Sequence, residues 1–462
     1  MCQVRDPLSE RARKVSSVPE EGARVSAFPL TAEQRSMLFL DGVFGPGIFH
    51  NVSFGAAVPA GTSEEAVRTA IAALTSRHDG LLSRSVGSSP FLQAVSRETV
   101  EPVSRGLSGN SLEAEFDRLR SDLHNIPLAP SRARFDIIKN DAGDPLQVLG
   151  TVDHLVADGY SGGLLGNDLS ALLAGRPTES TGSFPEIALA RAVGDREAAA
   201  EIAHWRRAAA GTRPLAGIVR RAGPRAAWVR AQVDREVPGG EAHRRLRELV
   251  QACRATPFAV LAAVTAVAVW RRSGRSAFLL HTPVSTRRDA VERATAGNFV
   301  MDRPIPCRID PGEPLSALVG RVQAAVWRAA RYARLSVPEL LCAVPEYGAA
   351  LLEDGADYLQ LHVDVQSADA TGVLSSPGGS TGVRTLGPFA PAHDLTVTTL
   401  RFRFSESRLF TRVFSGGSPD GIRDAEELCA DALAVFDAIA QPGDTARELA
   451  DRLDRAEVPN PV

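Results

Sequence analysis

The sequence predicts an α/β fold, more closely α+β, in which mixed sheets are flanked by helices and the chain is divided into two lobes. Three observations carry this. Segments whose apolar residues recur at every second position alternate with segments whose apolar residues recur every third or fourth. At 462 residues the chain is too long for one ordinary domain of roughly 100–200 residues. Its 44% hydrophobic and 23% charged residues, at a net charge of −3, are those of a globular chain with a sizeable core.

Residues 1–24 read as a flexible leader, too poor in apolar surface to offset the entropy of ordering. The first lobe is expected over 25–175. Within it Val67, Ala70, Ile71 and Leu74 mark a helix from Glu64 to His78, with Thr62 and Glu65 as a capping box. From Pro145 to His154 the pattern alternates, with Leu146, Val148, Val152 and His154 on one face and Gln147, Leu149, Thr151 and Asp153 on the other, so this is a strand. Gly175 to Glu186 is rich in Pro, Ser, Thr and Gly, which places a linker at 176–200 and the second lobe at 201–462. That lobe is expected to contain a strand at Ala227–Val237, a helix at Arg244–Arg254, and a nearly all-apolar, buried helix opened by Thr256-Pro257. A strand at Ser276–Val284 follows. Helices near 313–334 and 422–441 then flank strands at 357–365, 395–404 and 408–415, the last two joined by a turn at Ser405-Glu406-Ser407.

Composition removes several function classes. A net charge of −3 provides no overall field to hold nucleic acid or an anionic bilayer. Of the 52 basic residues only Lys14 and Lys139 are lysines, and neither has the context of a phosphate-binding loop or of a pyridoxal Schiff base. The five cysteines include no Cys-x-x-Cys pair, so neither a disulfide framework nor a metal site is expected, and a reducing, cytoplasmic location fits. No apolar N-terminal region follows Met1, and the longest apolar run, Phe258 to Trp270, is too short to span a bilayer.

The chemistry concentrates in Val152-Asp153-His154-Leu155-Val156-Ala157-Asp158-Gly159-Tyr160-Ser161-Gly162-Gly163. In one reading His154 stands where strand gives way to loop, with Asp158 four residues on and Gly159 allowing a sharp bend; such an imidazole can take a proton from an attacking amine or hydroxyl in acyl transfer. Strand parity points Asp153 the other way, into a structural role. In a second reading Gly159-Tyr160-Ser161-Gly162-Gly163 matches the Gly-x-Ser-x-Gly elbow of an α/β-hydrolase, with Ser161 as the nucleophile of an esterase. In a third, His154 and Asp158 are merely hydrogen-bonded scaffold.

Further segments resemble the condensation domains of nonribosomal peptide synthetases and their free-standing relatives, in the superfamily of chloramphenicol acetyltransferase. Leu30 to Leu38 resembles the family's opening motif and Arg77 to Leu82 its Arg-His-x-x-Leu-Arg segment. Val152 to Ser161 resembles the active-site His-His-x-x-x-Asp-Gly motif, with His154 as its second histidine. Thr282 to Arg287 and Gly297 to Met301 resemble the later Pro-Val-x-x-Arg and Gly-x-Phe-Val-Asn segments. Asp153 stands in place of the first histidine, and Met301-Asp302 in place of the usual Asn-Thr.

The resemblance implies two acetyltransferase-like lobes in a V with a central tunnel. An acyl donor would enter as a thioester on the phosphopantetheine arm of a carrier protein, or on coenzyme A, and a small-molecule amine or alcohol from the other side. No cofactor would be bound otherwise. His154 would act as base or positioning group, the backbone around Gly159 would assist the oxyanion, and Asp158 would pair with Arg287 in a buried, bidentate bridge. Tyr160, Ser161 and Asn298 would line the tunnel, Ser161 making a loop hydrogen bond or helix cap; His78 would be structural, and His393-Asp394 has no assigned role. With no adenylation or carrier segment in these residues, separate acyl- or peptidyl-carrier proteins are expected as partners of a monomer, meeting Arg220-Arg221 or Arg271-Arg272. A module of the same fold that binds carriers without chemistry is the non-enzymatic alternative.

Overall fold

The computed structural model describes residues 17–457 except 21–22, 46–50, 87–91, 129–131, 238–240, 366–381, 405–408 and a few single or paired positions. Among the described residues, the first half contains β1 (Ser17–Glu20), β2 (Ala23–Ser26), β3 (Phe28–Pro29), α1 (Ala32–Phe44), β4 (Val52–Ala57), α2 (Glu64–Arg77), β5 (Ser83–Ser85), β6 (Leu92–Val95) and β7 (Val103–Gly106). It continues through α3 (Leu112–Leu123), β8 (Ala133–Lys139), β9 (Pro145–Val152) and α4 (Gly159–Leu173). Strands β4-β9-β8-β7 form one sheet, with β7 parallel to β8 and the rest antiparallel.

This sheet is covered on both sides, which is why β9 is more apolar than simple alternation requires. Val148 and Val152 pack with Val67, Ile71 and Leu74 of α2 and Leu165 and Leu169 of α4, whereas Leu149 packs with Phe116 and Leu119 of α3. Helix α2 is capped by Ser63, whose side chain accepts from the Ala66 N–H, and not by the Thr62–Glu65 box expected from sequence. The expected leader also holds structure: β1 and β2 pair antiparallel.

The second half contains α5 (Phe184–Ala190), α6 (Asp195–Ala209), β10 (Val229–Val237), α7 (Glu241–Cys253), α8 (Pro257–Ser273), β11 (Ala277–Ser285), α9 (Ala290–Ala294), β12 (Val300–Arg308) and α10 (Leu315–Arg331). Then come α11 (Val337–Ala343), α12 (Pro345–Leu352), β13 (Asp357–Val365), β14 (Gly382–Pro388), β15 (Thr396–Phe404), β16 (Leu409–Gly417), α13 (Pro419–Ala438) and α14 (Ala446–Glu457). A seven-stranded mixed sheet runs β12-β11-β13-β15-β16-β10-β14. One face is closed by α8, buried from Ala259 to Val269 and flanked by α10 and α13. Thr256 caps α8 by accepting from the Ala259 N–H, and Gly274 ends it in the left-handed region at φ 67, where its N–H reaches the Trp270 carbonyl at 2.7 Å. Among the described residues no single helix is long and apolar enough to cross a bilayer.

The stretch expected to be a linker, 176–200, carries α5 and the start of α6. Phe184 is fully buried there, with its ring edge-on to Phe28 at 6.3 Å and to Phe299 at 6.1 Å. The halves interlock. Leu40, Val43 and Phe44 of α1 belong to the core of the second half, and Ala296 belongs to the core of the first. The expected turn at 405–407 and His393 lie outside the described residues.

Candidate active site

His154 sits just beyond β9, in a turn dictated by Asp153. The Asp153 carboxylate accepts from the Leu155 N–H at 2.8 Å and from Arg132 Nη1 at 2.6 Å, while its carbonyl accepts from the Val156 N–H at 3.0 Å. This Asx turn stops the strand and puts the histidine out of register with it. Buried Gln34 of α1 braces the same turn by donating Nε2 to the Leu155 carbonyl at 3.2 Å.

Four residues on, Asp158 is completely buried and caps α4. Its Oδ1 accepts from the Ser161 N–H at 2.8 Å and its Oδ2 from the Phe299 N–H at 3.0 Å. Arg287 Nη2 donates to both oxygens, at 3.0 and 3.3 Å, so a single guanidinium nitrogen makes the bridge and not the two-nitrogen fork expected. Both side chains are nearly inaccessible, at 4% and 1%. Arg287 also donates to the Thr295 and Glu292 carbonyls and lies over the rings of Tyr160 and Phe299 at 4.5 and 4.2 Å.

Ser161 belongs to this anchor. Its Oγ lies 2.8 Å from Asp158 Oδ1 and from the Gly297 carbonyl, and accepts from Arg287 Nη2 at 2.8 Å and the Gly297 N–H at 3.1 Å. It is fully buried in the first turn of a helix, and its partners among the described residues include no histidine, which is not the setting of a hydrolase nucleophile. Asn298, also expected along the substrate passage, is likewise fully buried, with Oδ1 accepting from the Val300 N–H at 3.1 Å and Nδ2 facing Met37. Of the three residues expected there, only Tyr160 is open to solvent, at 54%. Gly159 is exposed, has no positive φ, and an added Cβ would meet nothing, so it is not needed for a sharp bend. The glycines that closeness requires are Gly162, whose Cβ would lie 2.9 Å from Val52, and Gly297, whose Cβ would lie 2.6 Å from Phe299 and 2.7 Å from Phe184.

The His154 pKa is lowered, chiefly by burial and further by Arg401; a hydrogen bond to its own backbone and the charges of Asp158 and Asp153 oppose the shift. Solvent nonetheless reaches part of the residue. Arg401 comes from β15 of the second half, and His362, on the neighbouring β13, is also electrostatically coupled to His154. The open face of the large sheet, which bears Arg401 and His362, is therefore within electrostatic reach of the histidine. On that face Arg401 Nη2 lies 3.2 Å from His362 Nδ1, and His362 Nε2 lies 2.9 Å from Gln360 Oε1. Since a guanidinium only donates, Nδ1 accepts and Nε2–H donates, fixing a neutral tautomer. Gln360 Nε2 then donates to Asp302 at 2.9 Å, so the residue that departs from the motif is the end of a polar chain.

Sequence reasoning missed Gln34, Gln360, His362 and Arg401. A signal existed for the last three: Gln360, His362 and Asp364 alternate with Leu359, Leu361 and Val363, and Thr399, Arg401 and Arg403 with Leu400, Phe402 and Phe404. His78 is buried, with Nε2 2.9 Å from Asp168 Oδ2. The arginines expected to meet a carrier are already engaged: Arg220 with Asp424, Arg221 with Asp357, Arg271 with Asp454, and Arg272 with Asp431 and Glu427.

Comparison with known proteins identifies the family and the fold. Residues 26–347 match the family model described as Condensation domain. The chain is 27% identical over 320 residues to phosphinothricin tripeptide synthetase PhsC of Streptomyces viridochromogenes, a match covering 64% of this chain and 29% of that protein. The fold superimposes on SgcC5 from Streptomyces globisporus with a TM-score of 0.69 at 18% identity, covering 90% of this chain and all of that one. It superimposes equally on the starter condensation domain of rhizomide synthetase RzmA, a variant in complex with C8-CoA, with a TM-score of 0.67 at 17% identity over 91% of this chain and 96% of that one. With the family model matched across more than half its length, and with the fold of solved condensation domains, the chain belongs to the condensation-domain family.

Proposed function

We propose that this protein is an acyltransferase of natural-product biosynthesis that joins a thioester-activated acyl group to an amine or alcohol, with His154 receiving the nucleophile's proton. The observation that carries the reading is the setting of that imidazole: it is reached by solvent at the junction of two halves, kept neutral by burial and Arg401, and held by a turn locked through Asp153 and Asp158. A neutral ring at pH 7 is a competent base.

The reaction needs no covalent enzyme intermediate. The nucleophile attacks the thioester carbonyl, His154 takes its proton, and the tetrahedral oxyanion collapses to the amide or ester. The expelled thiolate recovers the proton from the imidazolium. In this reading the backbone N–H of Gly159, at the exposed start of α4, donates to the oxyanion, and the positive end of the helix dipole adds to it. A pantetheine thioester donor, on a separate carrier protein or on coenzyme A, is supported by the family and by the C8-CoA complex of the rhizomide relative.

The test is condensation by His154→Ala with donors and acceptors drawn from the biosynthetic cluster. Loss of at least about 100-fold in rate, with the folded state intact by circular dichroism, is expected of a lost general base. Near-normal rates in the folded variant would reject this role for His154, and saturable carrier binding without turnover of any thioester by the wild type would establish a non-catalytic module instead.

A further inference from the structure

We propose that the space in front of His154 selects a reactant carrying a carboxylate, and that Arg401 and Arg403 recognise it; the proposal rests on the acyl-transfer reading and names the chemistry of one of its substrates. Among the described residues, the open face of the large sheet is cationic where it lies within electrostatic reach of the histidine. Strand register brings Arg401 of β15 beside His362 of β13 and Arg412 of β16, and places Arg403 opposite Asp364. Arg230 and Asp234 of β10 lie on the same face, since Asp234 is the register partner of Arg412.

Among the described residues these charges do not cancel. Arg412 and Asp234 satisfy each other through a fork, Nε to Oδ1 at 2.6 Å and Nη2 to Oδ2 at 3.1 Å. Asp364 is then left to face both Arg401 and Arg403, at 3.4 and 3.7 Å, with neither contact short and straight enough to be a hydrogen bond. The Nε atoms of both arginines make no hydrogen bond among the described residues. Burial is the main influence on each guanidinium, yet 26% of the Arg401 side chain and 17% of that of Arg403 remain accessible, so both are shielded but still reached by solvent.

Guanidiniums shielded from bulk water and incompletely paired among the described residues are costly, and a partner that completes them is anionic, and planar if it is to use the arginine fork. The phosphate of a pantetheine arm does not fit this position. In such a donor the whole pantetheine chain lies between the phosphate and the thioester, whereas the charge of Arg401 is felt at the imidazole where the thioester must react. The group is therefore part of a reacting partner: a carboxylate on the acyl chain of the donor, or the free carboxylate of an amino-acid acceptor.

Equilibrium binding of matched pairs to the full chain separates these sources without requiring turnover. The donor pair is succinyl-pantetheine and its neutral analogue pentanoyl-pantetheine; the acceptor pair is phenylalanine and phenylalaninamide. One anionic member is expected to bind at least about tenfold tighter than its neutral match, as a charge-assisted fork provides. The preference should disappear in Arg401→Gln/Arg403→Gln and return partly in Arg401→Lys/Arg403→Lys, with folding checked by circular dichroism. Absence of preference in both pairs, including absence of measurable binding, overturns the proposal, as does a preference that survives the double Gln variant. Failure of the acyl-transfer reading shows differently: His154→Ala would keep its condensation rate whatever the carboxylate preference.

Discussion

Replacing Asp158 by alanine tests whether the His154 turn depends on one buried carboxylate. The substitution removes the partner of Arg287, which is only 4% accessible, and strands that charge in the interior. Breaking a buried pair from one side costs about 3–5 kcal/mol. The carbonyls of Thr295 and Glu292 and two aromatic faces still attend the guanidinium, which argues for the lower end of that range. Loss of the α4 cap adds about 1 kcal/mol, for a total of about 4 kcal/mol against a whole-protein stability of roughly 5–15. Chemical denaturation followed by circular dichroism would measure it, alongside Asp158→Leu/Arg287→Leu, which removes the unpaired charge and should be less destabilised than the alanine variant. A loss below about 1 kcal/mol for Asp158→Ala, or a double variant worse than the single, would refute the reasoning.

The acid limb of the condensation rate should fall below pH 6.5, the ordinary imidazole value, because the lowered pKa of His154 keeps the base neutral further into acid; a profile of kcat/KM against pH that fails already above pH 7 would contradict this. The sign for stability is the same: the unfolded histidine takes up a proton more readily than the folded one, so stability falls as pH drops through 6.5, the ordinary value. Ser161→Ala should cost about 1–3 kcal/mol by leaving buried donors and acceptors around Asp158 and Gly297 unmet, and the wild type should not be labelled by a fluorophosphonate probe. Gly297→Ala should lower the denaturation midpoint by an equivalent of about 1–3 kcal/mol, since its methyl would drive into the Phe184 and Phe299 rings, whereas Gly159→Ala, with open space around it, should leave stability nearly unchanged.

Periodicity made much of the scaffold legible. The strand at 357–365 and the buried helix after Thr256 stand where the apolar spacing put them, because burial of one stripe or both faces is what those patterns encode. Caps were harder: Thr62 and Ser63 are chemically equivalent, and one residue of phase decides which reaches the Ala66 N–H. The His154 turn was legible as a motif, but the fate of its polar residues was not. Ser161 and Asn298 look the same in sequence whether they face a passage or are consumed by hydrogen bonds inside its wall, and their partners at 297 and 300 become visible only in three dimensions. For the same reason an arginine pair such as Arg220-Arg221 reads as free charge until Asp424 and Asp357 are brought beside it from more than a hundred residues away.

The placement of polar groups at the joint between the halves matches the role proposed for His154. An apolar joint would bind the halves as well, but packed hydrocarbon specifies distance and orientation less sharply than charged hydrogen bonds with defined directions. Here one carboxylate ends α4, fixes the Phe299 backbone and holds Arg287, so the loop bearing His154 is referenced at once to the first half's helix and to the segment leading into β12 of the second. Gln34 adds a third reference from α1, a helix whose other end lies in the second half's core. The position of the imidazole relative to the β13–β15 face is thereby set by groups that cannot be displaced singly without stranding a buried charge or amide. That is the condition the proposed reaction sets for a base at which two separately arriving reactants meet.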